Sequence, residues 1–425
     1  MARSTFGLCV VLLASLAWLA LSCSTAARPS PQDPLEHARR LHRLVPLIDG
    51  HNDLVWRLNE RAGGNLARID IARPQPELMT DIPRLRRGGV GGQFWSVYVP
   101  ATMTGPAAVR AVMEAIDTVH RMARRYPEDF SPALSAADVE LAFAHGRIAC
   151  LIGMEGGHSI DNSLAVLRMF HRLGARYMTL THSLNTAWAD SATDQPKSHG
   201  LSAFGREVVR EMNRLGMLVD LSHVSPEVMA QALEESRAPV IFSHSAARAL
   251  CDHPRNVPDD ILRRLPANGG MVMVCFVPDF ISPDVRAHSA QREQEAARLR
   301  ALYAKDEAAA RRALAEWDRA NPAPRARLSQ VADHIDHIRR LAGIDHIGLG
   351  SDFDGISSVI EGLEDVSKYP DLTAELIRRG YSDEDILKIL GRNLLRVLSR
   401  AEAVARRLQQ ERGPSEARIE DLDRH

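Results

Sequence analysis

Met217-Leu-Val-Asp-Leu-Ser-His223 and Val240-Ile-Phe-Ser-His244 decide how this chain folds. Each is a short, nearly unbroken apolar run that closes on a histidine. Such runs read as strands covered on both faces, the habit of a parallel sheet; a strand with one wet face would alternate. Between them Ser225-Pro226 opens a helix, with serine as cap and proline in the first helical position. Working outward, the same unit recurs on both sides. Before it come Val45-Pro-Leu-Ile-Asp-Gly-His51, Gly92-Gln-Phe-Trp-Ser-Val-Tyr-Val99, Ile148-Ala-Cys-Leu-Ile-Gly-Met-Glu155 and Tyr177-Met-Thr-Leu-Thr-His182. After it come Met271-Val-Met-Val-Cys-Phe276 and His346-Ile-Gly-Leu-Gly-Ser-Asp352. Helical spacing separates the runs. Val109, Val112, Ile116, Val119 and Met122 share one face, as do Leu164, Leu167, Phe170 and His171 before Gly174, and Val208, Val209, Met212 and Leu215 before Gly216. Strand and helix alternating eight times predict an α/β fold, a closed (β/α)8 barrel of the TIM type.

The polar residues fall where such a barrel does chemistry. Its active site lies at the C-terminal ends of the strands. Those ends here carry His51 and Asp53, Glu155, His182, His223, His244 and Asp352. His51 and Asp53 are two apart, so on an extended chain both project to one side and can hold a divalent cation. His223 and His244 arrive from adjacent strands and can hold a second, with Glu155 able to bridge the two through its pair of oxygens. Imidazole and carboxylate together suit Zn²⁺, although ligand type alone also admits Mn²⁺ or Co²⁺. A lone strand-end His is more often a hydrogen-bonded or surface residue, and a lone loop Asp is usually a helix cap. Convergence of five such residues on one face reverses those odds.

Composition limits the alternatives. The 425 residues carry 53 Lys plus Arg against 54 Asp plus Glu, so there is no basic face for nucleic acid. Arg3 and the apolar stretch from Gly7 to Leu21 read as an export signal over residues 1–22, too short for a membrane span. Ala20-Leu-Ser-Cys23 resembles a bacterial lipoprotein cleavage site, which makes Cys23 a candidate for lipidation and membrane anchoring; simple cleavage near Ala26 or Ala27 is the alternative. The protein is therefore expected to be exported, to a periplasm or cell surface. Residues 23–40 read as a flexible tether, 41–400 as the barrel domain and 401–425 as a charged tail that frays at its end. Residues 284–327, rich in Ala, Arg and Glu, interrupt the rhythm between the seventh and eighth runs as a helical insertion, either solvated or a lid or dimer contact. Cys150, Cys251 and Cys275 are widely spaced and read as buried thiols, with a Cys251–Cys275 bridge the other arrangement open to them.

From about Val45 to about Leu398 the chain resembles the membrane dipeptidase (renal dipeptidase) family, in the form of an exported bacterial-type member. The motifs are Ile48-Asp-Gly-His-Asn-Asp-Leu54, Ile152-Gly-Met-Glu-Gly-Gly-His-Ser159, Tyr177-Met-Thr-Leu-Thr-His-Ser-Leu-Asn-Thr-Ala-Trp-Ala-Asp190, Asp220-Leu-Ser-His-Val224, Phe242-Ser-His-Ser245, Arg255-Asn-Val-Pro-Asp-Asp260, Ser351-Asp-Phe-Asp-Gly355 and Glu361-Gly-Leu-Glu-Asp-Val-Ser-Lys-Tyr-Pro-Asp371. The resemblance implies a dinuclear zinc metallopeptidase that cleaves dipeptides, including some with a D-residue at the C-terminal position, and in some members opens β-lactams. It assigns His51, Asp53 and Glu155 to one zinc, and Glu155, His223 and His244 to the other. It makes His182 a substrate contact, Arg255 the receptor for the substrate carboxylate and Asp352 the acid/base that relays a proton from a metal-bridging hydroxide. It also suggests a homodimer. Three departures stand out: Phe280 where the family has Tyr, no downstream partner for Cys251, and the length of the 284–327 segment. Two other readings share these residues: an amidohydrolase acting on a β-lactam or cyclic amide, and a non-catalytic zinc-binding surface protein.

Overall fold

Each predicted apolar run becomes a strand of one sheet in the computed structural model, which describes residues 33–423. The strands are β1 (Leu47–Asn52), β2 (Val90–Tyr98), β3 (Phe130–Pro132), β4 (Ile148–Glu155), β5 (Ala175–Thr179), β6 (Leu218–Asp220), β7 (Ile241–Ser245), β8 (Met271–Val274) and β9 (Ile347–Leu349). Their order is β2-β1-β9-β8-β7-β6-β5-β4, and a β2–β4 pairing closes the ring. All pairings between these strands are parallel. The result is the expected (β/α)8 barrel. The additional strand, β3, pairs with the first half of β4, Phe130 against Ile148 through Pro132 against Cys150, below the stretch that β5 occupies.

Burial explains the closure. Ile48, Phe94, Leu151, Tyr177, Leu218, Ile241 and Met273 from the strands form one apolar cluster with Leu394, Val397, Leu398 and Ala401 of the helix Asn393–Glu411. That helix lies under the N-terminal ends of the strands: Arg396 Nη1 donates to Gly269 O at 2.9 Å, and Asn393 Nδ2 to Ile347 O at 2.9 Å. The bottom of the barrel is thus plugged with aliphatic side chains, and polar groups gather at the opposite mouth. The predicted caps hold where they bear on the site. Ser225 Oγ accepts from Val228 N ahead of Pro226, and Gly216 ends the preceding helix in a left-handed conformation.

Two boundaries need correction. Residues 34–40 are not tether: Pro34–Leu41 is a helix that buries Ala38 and Leu41 against the helix Tyr369–Arg378. Residues 409–423 are not frayed. Gln409 Nε2 donates to Arg214 O at 2.8 Å, Arg168 Nη1 to Ser415 O at 2.9 Å, and the Asp423 carboxylate accepts from the Ser202 hydroxyl and from Phe204 N. A sequence rich in charge reads as solvated, but here the charges find partners on the barrel. The interrupting segment consists of two helices, Pro283–Leu302 and Glu307–Ala320, held side by side by Arg292 and Asp318 at 2.7 Å and by His288 and Asn321 O at 2.8 Å. Cys150, Cys251 and Cys275 are buried free thiols, so Cys251 and Cys275 form no bridge. Among the described residues no helix is long and apolar enough to cross a membrane. The expected signal over residues 1–22, and Cys23, lie outside the described residues.

Candidate metal and substrate site

The strand ends deliver their side chains to one point. His51, Glu155 and His244 sit within β1, β4 and β7, whereas His182, His223 and Asp352 lie just past the ends of β5, β6 and β9. Glu155 stands at the centre. Its Oε2 is 3.4 Å from His51 Nε2 and accepts from Ser96 Oγ at 3.1 Å. Its Oε1 is 3.1 Å from His223 Nε2, 3.5 Å from His244 Nε2 and 3.7 Å from His182 Nε2. Asp53 Oδ2 lies 3.3 Å from His51 Nε2. Ligand atoms of His51, Asp53 and Asp352 fall within 4.8 Å of one another, as do those of His51, Glu155 and His244, and of Glu155, His182 and His223. All seven strand-end residues singled out in the sequence therefore meet. Arg255, from the loop after β7, joins them with its Nη2 donating to His244 O at 3.3 Å.

Two histidines are oriented by partners that the sequence reading did not single out. Tyr177 Oη donates to Gly50 O at 3.2 Å and so accepts from His51 Nδ1 at 2.8 Å. The Nε2 of His51 is left facing the carboxylates, buried and without a hydrogen-bond partner among the described residues. Ser243 Oγ donates to Asp220 Oδ2 at 2.6 Å and accepts from His244 Nδ1 at 2.9 Å, which turns that ring's Nε2 inward as well. Fixing one ring nitrogen to expose the other is how metal-binding imidazoles are usually held. Tyr177 and Asp220 look like barrel filling in sequence. The signal for them is a polar atom inside an apolar strand, which must find a partner when buried.

Electrostatics favour a cation here. Burial, then the nearby Arg255 and His182, hold His223 well below the ordinary imidazole range; burial, then His51 and Arg255, do the same for His244. Both are therefore neutral, as a metal ligand must be. Burial alone would raise Glu155, but the facing His51, His223 and His182 outweigh it and keep it ionised. Burial would lower His51, yet Tyr177, Glu155 and Asp53 raise it well above its usual value, so this ring favours a proton and a metal ion binds to it by displacing that proton. Asp352 is pushed up by burial and by Asp53 and Glu155, against His51 and Arg255. Three carboxylates share a site from which water is largely excluded, and a positive charge between them relieves that conflict. With the orphaned His51 Nε2 and the neutral His223 and His244, the donor set fits bound metal of the zinc type.

Backbone strain marks the same residues. His223 and Asp352 have φ of +70° and +69°, a region that non-glycine residues occupy at a cost of about 1–3 kcal/mol. His223 O accepts from Ala192 N at 2.7 Å, and beside it the Ser191 hydroxyl, 3.3 Å away, donates to His182 O at 2.6 Å. Gly355 allows the tight turn after Asp352: a Cβ there would overlap the carboxylate oxygens of Asp53 and Asp352. Above the site is a cavity of about 310 Å³, lined by Trp56, Arg57, Tyr98, Phe280 and the polar cluster. Arg255 is buried in its wall over the Phe280 ring, 5.4 Å from guanidinium to centroid, and its Nη1 has no hydrogen-bond partner among the described residues.

Barrel, plugged base and a mouth of imidazoles and carboxylates together define a hydrolase of the barrel metallopeptidase class. The chain belongs to the membrane dipeptidase family (peptidase family M19), whose profile matches residues 35–412. It is 43% identical over 377 residues to dipeptidase 3 of Rattus norvegicus, spanning 87% of this chain and 68% of the rat protein. It is also 43% identical to the dipeptidase aclJ of Aspergillus oryzae, spanning 86% of this chain and 80% of that one. Among solved structures it resembles the probable dipeptidase PvdM of Pseudomonas aeruginosa, with a TM-score of 0.76 and 27% identity over 88% of this chain and all (100%) of that one. It also resembles a metallopeptidase of Rhodobacter sphaeroides liganded with a phosphinate mimic of the dipeptide L-Ala-D-Ala, with a TM-score of 0.69 and 26% identity over 84% and 99% of the two chains.

Proposed function

We propose that this protein is a dinuclear zinc dipeptidase that accepts a D-residue at the C-terminal position. The observation that carries the reading is the division of Glu155, one oxygen toward His51 and the other toward His223 and His244, on the floor of a cavity walled by Arg255. His51, Asp53 and Glu155 would hold one zinc, and Glu155, His223 and His244 the other. When bound, the pair supplies Lewis acidity and an ionised water at neutral pH. Arg255 offers its unpaired Nη1 to the substrate's free carboxylate, a charge-assisted bond that sets the C-terminal end of the substrate close to the cleaved bond and so favours dipeptides over longer chains. His182, partly buried where it lines the cavity and 3.7 Å from Glu155, donates to the carbonyl oxygen as charge develops there. Asp352, beside Asp53, takes a proton from the nucleophile and passes it to the leaving amine. The ligand in the R. sphaeroides structure, an L-Ala-D-Ala mimic, supports the stereochemical part of the reading.

A panel of L,L and L,D dipeptides, run alongside zinc analysis, tests the proposal. The expected result is hydrolysis of both series and about two zinc ions per chain, with Glu155→Gln depleting both sites and His223→Ala mainly one. A stoichiometry of one in active wild-type protein would overturn the dinuclear reading, and inertness toward every dipeptide in zinc-loaded protein would overturn the activity. The same proposal includes export and lipidation at Cys23, resting on the motif that ends there. Cys23→Ala should then move the protein from the membrane to the soluble fraction; an unlipidated mature N-terminus would remove the anchor.

A further inference from the structure

A second guanidinium lines the cavity, and no step above uses it. Arg57 follows Asp53 on the helix Leu54–Ala62, which leaves the end of β1. Its Nε donates to Asp354 O at 2.8 Å, which ties it to the turn that carries Asp352 and Gly355. Its Nη1 meets Glu60 at 2.9 Å, but that carboxylate is nearly half exposed, and an ion pair of this kind is too weakly held to cancel the charge for an incoming group. Arg57 itself is only about a quarter exposed, because Trp56, Gly355 and the turn crowd round it. The two guanidiniums reach the cavity from different sides of the ring, Arg255 from the β7 loop and Arg57 from β1, with β8 and β9 between them. A substrate whose α-carboxylate lies on Arg255 therefore extends its N-terminal residue past the polar cluster toward Asp53, Trp56 and Arg57.

We infer that Arg57 selects dipeptides whose N-terminal residue carries a carboxylate side chain. The inference rests on the dipeptidase reading and on Arg255 holding the α-carboxylate. Two cationic groups that reach one cavity from strands three apart in the ring match a ligand with two anionic groups. A partly desolvated guanidinium rewards a carboxylate over its neutral amide because the bond is charge-assisted. Arg57 is thus a specificity-determining residue and takes no part in bond cleavage.

The test compares L-glutamyl-L-alanine with its neutral isostere L-glutaminyl-L-alanine, and with L-alanyl-L-alanine and L-lysyl-L-alanine, on zinc-loaded full-length protein. In wild type, kcat/KM for the glutamyl substrate should exceed that for the glutaminyl one about tenfold, mainly through KM. Arg57→Gln should bring that ratio near one, whatever loss it causes on both substrates together. Arg57→Glu should turn the preference toward the lysyl substrate. If Arg57 merely braces the Asp352 turn, its variants lower all four substrates alike and leave the ratio unchanged, which overturns the inference. Equal wild-type rates on the glutamyl and glutaminyl substrates overturn it without any variant, while alanyl-alanine hydrolysis leaves the dipeptidase reading standing. Inertness toward all four overturns that reading and this inference with it.

Discussion

A phenol beneath the site governs how His51 meets a cation. Tyr177 reaches across the barrel to His51 Nδ1, and it can do so because residue 153 is glycine: a Cβ there would overlap the Tyr177 ring. Tyr177→Phe keeps the ring and removes only the bond. It should weaken zinc binding by roughly tenfold to a hundredfold, as loss of an orienting partner typically does, with the fold intact by circular dichroism. An unchanged zinc affinity by chelator competition would show that packing alone holds His51. Arg255 is testable with equal economy. Arg255→Ala should lose about tenfold to a hundredfold in kcat/KM on free dipeptides, the worth of a charge-assisted bond of about 1.5–3 kcal/mol, and much less on C-terminal amides. Arg255→Lys should recover little, since a point charge lacks the fork. Equal losses on acids and amides at unchanged zinc content would make Arg255 structural.

The elements owe their legibility to how their side chains are spent. Strand runs closing on His51, Glu155, His182, His223, His244 and Asp352 are readable because a polar residue at the end of an apolar run has no packing reason to be there. β3 escapes such a reading: Phe-Ser-Pro is three residues long and ends in proline, and only its pairing with β4 makes it a strand. The helix Pro34–Leu41 escapes because its anchor is remote. Beside its end His42 donates from Nδ1 to Gly88 O at 3.1 Å and accepts at Nε2 from Thr373 Oγ1 at 2.9 Å, both distant in sequence. Burial lowers this imidazole to about 4, against a partial opposing pull from Gly88. The folded state therefore resists a proton that the unfolded chain takes up near pH 6.5, so stability is full above that pH and falls as pH drops toward 4. The contribution is about 3 kcal/mol at most. Melting temperatures measured between pH 7 and 4.5 should fall more steeply for wild type than for His42→Gln; parallel curves would place the acid sensitivity elsewhere, with His334, also lowered to about 4 by burial, the next candidate.

Across the described residues, the first and last segments brace the barrel from outside: the helix Pro34–Leu41 packs on Tyr369–Arg378, and residues 412–423 run back over the helix Ala203–Leu215. That helix leads into β6 and so to His223. Ending the chain after Glu411 removes the Ser415 contacts to Glu211 and Arg168 and the Asp423 carboxylate at the helix start. Losing a cap typically costs about 0.5–2 kcal/mol, so the truncated protein should melt lower by a few degrees while still binding zinc. An unshifted melting curve would mean that the strap is ornamental. The placement of Asp423 also has a consequence for how the polypeptide is made. The group that finishes the start of the helix Ala203–Leu215 is made 219 residues after Phe204, so this part of the domain reaches its final state only once the ribosome has passed Asp423.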